Sequence, residues 1–128
     1  MQRGRVLVVE DRAAIRSLVE VGLARAGLEV RTVAGAGEAF GAIRALMPDL
    51  VITDLVLPDG AGDALIGALR ADPRTRALPV IVLSGLPGAA QVGTRAGADE
   101  CIAKPFDVEH LIGRVLFHLG SAGRSSGT

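Results

Sequence analysis

Four short apolar blocks punctuate the chain, each closing on an acid, a small polar residue or a lysine: RVLVVED, PDLVITD, LPVIVLSG and ADECIAKPF. They are too short for helices and read as strands, three of them apolar on both faces, as in a parallel sheet covered on both sides. LEVRTVAG is a fifth, and its looser alternation and extra charge predict a place nearer a sheet edge. Between these blocks the spacing becomes helical. Val108, Leu111, Ile112, Val115 and Leu116 fall at i, i+3, i+4, i+7 and i+8, which predicts one buried stripe on the last helix. Asp107 stands where an N-cap belongs, and Phe106 before it is placed to pack on Leu111 as a hydrophobic staple. Ile15, Leu18, Val19 and Gly22 mark a first helix, and Phe40, Ile43 and Met47 a second. Shorter helices are expected over residues 63 to 70 and 88 to 96.

Strand and helix alternate five times, and parallel neighbours need crossover connections, so the pattern predicts a doubly wound α/β fold of the (βα)5 kind. The 128 residues, 49% of them hydrophobic, suffice for one core and one domain over residues 1 to 119. The small polar residues 120 to 128 (GSAGRSSGT) are expected to form a frayed tail or the start of a linker. Positive and negative residues balance at 14 each, so no global field would hold the chain on nucleic acid or an anionic membrane. The first apolar run meets Glu10 and Asp11 after four residues, too early for a signal peptide, and no segment offers the roughly 20 apolar residues of a membrane span. One cysteine, Cys101, leaves no internal disulfide, which fits the reducing cytoplasm.

In sheets of this kind ligands bind beyond the carboxyl ends of the strands. The first strand ends in Glu10 and Asp11, the third in Asp54, the fourth in Ser84 with Gly85, and the last in Lys104 and Pro105. Converging carboxylates repel one another unless protonated or bridged by a hard cation, and Mg²⁺, with its preference for carboxylates, phosphate oxygens and waters, suits this set. Lys104, the only lysine beside thirteen arginines, supplies a compact charge for a phosphoryl oxygen, and Ser84 a hydrogen bond. Asp54, alone at a strand end before the loop LVLPDGAG, is the candidate nucleophile of a phosphoryl-transfer site.

Other features carry less. Glu10 and Asp11 would also favour a helix macrodipole, but that leaves Asp54 unexplained. Asp59 and Asp63 read as solvated turn and cap residues. His110 and His118 lie eight residues apart, too far for an i, i+4 metal pair, and are assigned surface or packing roles. The glycine-rich stretch GLPGAAQVGTRAG lacks the lysine of a phosphate-binding loop. Its glycines at 88, 93 and 97 are expected to weaken the fourth helix from within.

The segments VVED, DLVLPDGAG, LSG and KPF, in this order and at these intervals, resemble the response-regulator receiver domain of two-component signalling, from about Arg5 to Leu119. The resemblance implies a five-stranded parallel sheet in order 2-1-3-4-5 flanked by five helices. It implies phosphorylation of Asp54, Mg²⁺ held by Glu10, Asp11, Asp54 and the backbone carbonyl of Val56, and a phosphoryl group bound by Ser84 and paired with Lys104. It also implies a cis Lys104–Pro105 bond. The donor would be a histidine kinase or phosphotransfer protein. The signalling face would be formed by the fourth helix, fifth strand and fifth helix, acting on an output domain or downstream protein. A phosphorylation-dependent homodimer is compatible with this, and direct nucleic-acid or membrane binding is not expected. The module promotes its own phosphorylation and dephosphorylation without being a turnover enzyme. A phosphatase working through an aspartyl phosphate would want an acid two residues after Asp54, where Val56 stands.

Two departures from the family pattern stand out. Cys101 occupies the place of the usual aromatic switch partner of Ser84 and is too small to fill a ring's space, so the switch is expected to rest on Ser84 and the fourth helix. Val56 and Leu86, two residues beyond Asp54 and Ser84, are apolar where polar residues are frequent, which predicts a slowly hydrolysing acyl phosphate.

Overall fold

The computed structural model describes residues 4–127. Five parallel strands, β1 (Arg5–Val9), β2 (Glu29–Val33), β3 (Leu50–Thr53), β4 (Val80–Ser84) and β5 (Glu100–Ala103), form one sheet in the order β2-β1-β3-β4-β5. The helices are α1 (Ala13–Arg25), α2 (Ala36–Leu46), α3 (Gly62–Ala71), α4 (Ala89–Ala96) and α5 (Val108–Gly127). The doubly wound fold and the edge position of β2 match the sequence pattern.

Strand alternation divides the core in two. Leu7, Val9, Val51, Val80 and Val82 face Ala39, Ala42 and Ile43 of α2 and Leu65, Ile66 and Leu69 of α3. Val6, Val8, Leu50, Ile52, Ile81 and Leu83 face Val19 and Leu23 of α1 and Leu111 and Val115 of α5. Because β1, β3 and β4 are covered on both faces, they are apolar at consecutive positions, which is why they read as unbroken runs. Each fully buried Leu or Ile contributes roughly 1.5–3 kcal/mol, and these two layers hold the strands in register.

Several details differ from the sequence reading. Leu116 and Leu18 are about half exposed and lie outside the buried stripes, since α5 and α1 present a narrower face to the sheet than the periodicity implied. Met47 is not part of the α2 stripe: it caps the helix in the left-handed conformation at φ 51° with its side chain in solvent, and Pro48 follows. Gly88 and Gly97 flank α4 at φ 77° and 110°, so they end the helix and only Gly93 weakens its interior. The backbone of α5 stays helical past Leu119 to Gly127, a stretch that holds glycines but no proline; Thr128 lies outside the described residues.

Two tethers went unread in the sequence. Arg70 of α3 donates to the carbonyl oxygens of Gly97, Arg76 and Leu78 and to Asp99 Oδ2, joining α3 to the end of α4 and the approach to β4. Asp59, read as a solvated turn residue, is exposed but accepts from the backbone N–H groups of Ala36 and Gly37 at 2.8 and 2.9 Å, so it caps α2 from a distance. Those bonds, the one from Gly37 first, hold the Asp59 carboxyl below the usual aspartate range. Among the described residues no helix is long and apolar enough to cross a membrane.

Candidate functional site

The sheet ladder places the polar residues. Each of three strands hands its next residue to the carboxyl edge while that residue's backbone still pairs sideways: Glu10 N–H to Val33 O, Asp54 N–H to Val9 O, and Lys104 N–H to Ser84 O, at 3.0, 3.2 and 3.0 Å. The parallel register therefore brings Glu10, Asp54, Ser84 and Lys104 to one edge from chain positions as much as 94 residues apart.

At the centre is the Lys104 ammonium, which donates to Glu10 Oε1 at 2.6 Å and Asp54 Oδ2 at 2.8 Å. Glu10 is 2% exposed and its other oxygen accepts from the Arg12 backbone N–H at 3.0 Å. Asp54 Oδ1 accepts from the Val56 backbone N–H at 3.2 Å. Burial alone would lower the lysine pKa, but the hydrogen bonds and charges of Asp54 and Glu10 outweigh it and hold Lys104 above its ordinary value. The sign follows: the stabilisation from this pairing is complete below the ordinary lysine pKa and is lost only as the pH rises through the higher folded value.

Asp11 is exposed, and no hydrogen bond or ion pair engages its carboxylate among the described residues. Oxygen atoms of Glu10, Asp11 and Asp54 lie within 4.8 Å of one another, an all-carboxylate set suited to a hard divalent cation. Beside them Ser84, 3% exposed, accepts from the Leu86 N–H through its Oγ at 3.2 Å. The Lys104–Pro105 peptide bond is cis. An open cleft of about 320 Å³ over Asp54 is lined by Arg12, Val56, Ser84, Gly85, Leu86 and Lys104. Val56 and Leu86 are 55% and 50% exposed, so the mouth carries two apolar side chains.

Sequence reasoning missed three supports. Arg16, one turn into α1, donates from Nη1 to the carbonyl oxygens of Glu10 and Asp11 at 2.8 and 3.3 Å and fixes the acidic loop. Thr53 Oγ1, buried beneath the site, donates to Asp54 O at 2.9 Å. A Cβ at Gly62 would lie 1.9 Å from that same carbonyl oxygen, so only glycine lets α3 start against the acceptor loop. Arg16 falls at helical spacing from the acids, a weak signal, whereas the other two contacts depend on loop closure.

Cys101 lies on the α4 side of β5. Its Sγ is 3.8 Å from the Ala90 carbonyl oxygen, and a Cβ at Gly93 would come within 2.6 Å of it. A second cavity, of about 210 Å³, lies beside it, lined by residues including Ser84, Leu86, Ala89 and Ala90. Burial first, then the Glu100 charge, raises the thiol pKa, which disfavours the reactive thiolate. His118 packs with its Nε2 2.8 Å from Glu100 Oε1, next to Arg114, which holds the same carboxylate; His110 is exposed.

Replacing Lys104 with methionine keeps the bulk but leaves Glu10 buried without its cation. A stability loss of about 2–3 kcal/mol is expected at neutral pH, somewhat below the range for fully buried pairs because the site is open on one side. Urea unfolding of both proteins at neutral pH checks this, and equal stabilities would refute it.

Residues 6–116 match the family model for the response regulator receiver domain. Among curated relatives, the DNA-binding dual master transcriptional regulator RpaA of Synechocystis sp. is 38% identical over 114 residues, covering 87% of this chain and 47% of the relative. The DNA-binding response regulator MtrA of Mycobacterium tuberculosis is 35% identical over 119 residues, covering 91% of this chain and 51% of the relative. The chain thus spans about half the length of these relatives. Among solved structures, the CheY-like receiver domain protein of Methanospirillum hungatei superposes with a TM-score of 0.90 at 26% identity, covering 97% of this chain and 99% of that one. The chemotaxis response regulator CheY4 of Vibrio cholerae gives 0.85 at 29% identity, covering 91% and 99%. With the family model covering most of its length, the chain belongs to the response regulator receiver domains, the signalling modules of two-component systems.

Proposed function

We propose that this receiver accepts a phosphoryl group on Asp54 in a Mg²⁺-dependent reaction. The observation that carries the reading is the Lys104 ammonium bridging Glu10 and Asp54 beside the buried Ser84 hydroxyl, at the floor of an open cleft. Glu10, Asp11, Asp54 and the Val56 backbone carbonyl would hold the metal, which when bound neutralises charge on carboxylates and phosphoryl oxygens alike. Asp54 Oδ attacks phosphorus, the bond to the donor atom breaks, and the leaving group departs with the electron pair. Lys104 then exchanges one carboxylate partner for a phosphoryl oxygen, and Ser84 turns its hydroxyl hydrogen to another.

The donor would be a histidine kinase or phosphotransfer protein, and the output a change in the α4–β5–α5 face presented to an output domain, a downstream protein or a second copy. Residues from about 120 onward would lead out of the domain. With Cys101 in place of an aromatic ring, the change would pass through Ser84, the following loop and α4. The cavity beside Cys101 and the close Gly93 contact support this, since the thiol is wedged against α4 and has little to gain by rotating.

Three measurements test the reading. A small acyl phosphate with Mg²⁺ should add one phosphoryl group to the wild-type protein by intact mass and none to Asp54→Asn; labelling that survives EDTA or the substitution would rule the site out. Val56→Asn combined with Leu86→Glu should speed loss of the phosphoryl group by about three- to tenfold, because polar side chains at the cleft mouth admit and orient water. An unchanged decay rate would show that the two apolar residues do not shield the acyl phosphate. Crystal structures with and without beryllofluoride should keep Cys101 in one rotamer while the loop after Ser84 moves; a thiol that swings with Ser84 would overturn the proposed route.

A further inference from the structure

Arg12 lines the cleft over Asp54, yet none of the bonds inside the site uses its side chain. Its backbone donates to Glu10 and it stands in extended conformation at the N-cap of α1 without a side-chain capping bond. Among the described residues its guanidinium makes no hydrogen bond or ion pair, whereas that of Arg16, one turn on, is committed to the Glu10 and Asp11 carbonyls. Lys104, the other cation of the cleft, is already shared between two carboxylates.

Charge balance gives the unpaired guanidinium a purpose. Glu10, Asp11 and Asp54 carry three negative charges against one on Lys104, leaving two in excess; a divalent cation would only cancel them. A dianionic phosphodonor arriving at that centre meets no net attraction from the groups on the cleft floor. Arg12 adds the missing positive charge at the wall, with a planar fork suited to two phosphate oxygens.

Resting on the reading of Asp54 as phosphoacceptor, we propose that Arg12 is a donor-binding residue that captures the phosphate of small acyl phosphates in the cleft before transfer. In that transfer Asp54 Oδ forms a bond to phosphorus, the bond from phosphorus to the acyl oxygen breaks, and the carboxylate leaves with the electron pair. No proton moves, and the total charge is unchanged. Arg12 keeps the donor's phosphate oxygens paired while its phosphorus lies over Asp54.

The test measures Mg²⁺-dependent phosphorylation of wild type, Arg12→Ala, Arg12→Lys and Arg12→Glu across acetyl phosphate concentration and salt, after urea melts show that each variant folds. The second-order rate constant should fall about five- to twentyfold in Arg12→Ala and further in Arg12→Glu, with Arg12→Lys largely restored, and the salt dependence should flatten in Arg12→Ala. A fluorine NMR titration with beryllofluoride supplies a readout without turnover and should show weaker binding in the same order. Equal rate constants and affinities for Arg12→Ala and wild type would overturn the role of Arg12 and leave the phosphoacceptor reading intact. Absence of labelling in the wild type itself would instead remove that reading, and the role of Arg12 with it.

Discussion

One ammonium group holds the working edge of this molecule together. Lys104 reaches from the end of β5 to carboxylates at the ends of β1 and β3, spanning the middle of the sheet. Without it, the parallel register would deliver like charges to a single point with only backbone N–H groups to meet them. With it, two of the three acids share a cation, yet the edge stays partly unbalanced, because one lysine cannot neutralise three acids. The surrounding supports, Arg16 on the acidic loop, Thr53 beneath Asp54 and Gly62 at the foot of α3, all serve to keep those oxygens where the ammonium can reach them.

The sheet and the four chemistry-bearing strand ends were legible because both follow from short-range signals. Buried parallel strands must be apolar at successive positions, and a polar residue that ends such a run must face the edge. Glu10, Asp54, Ser84 and Lys104 are all of this type. Legibility failed where a residue's role is set by a partner far along the chain. Asp59 has the look of any turn aspartate, and only closure of the loop against α2 gives it two backbone donors. Arg70 likewise reads as one charge on a helix until the end of α4 and the approach to β4 are folded around it. Arg12 was invisible for a different reason: among the described residues its guanidinium makes no hydrogen bond or ion pair, and its interest lies in that side chain being left unpaired.

The seam between α4 and β5 shows how a sequence signal can be right in kind and wrong in detail. Three glycines suggested a helix weakened along its length. Two of them instead define where it starts and stops, in backbone conformations that other residues adopt at a cost, and the third lets the helix sit down on a cysteine. The helix is short because its ends are fixed, and its close seat on β5 depends on small residues on both sides. Size at positions 93 and 101 is therefore a joint property: enlarging either demands that the other side of the seam yield.

That seam also makes the protein unusually convenient to watch. The chain has no tryptophan and no tyrosine, so its own near-ultraviolet signal is faint and says little about where a change occurs. Its single thiol, by contrast, lies between α4 and β5 and is only partly covered. A small probe attached at Cys101, at a pH alkaline enough to overcome the raised thiol pKa, would report on one place and nowhere else. The lone cysteine thus leaves the sequence with a reporter position already installed.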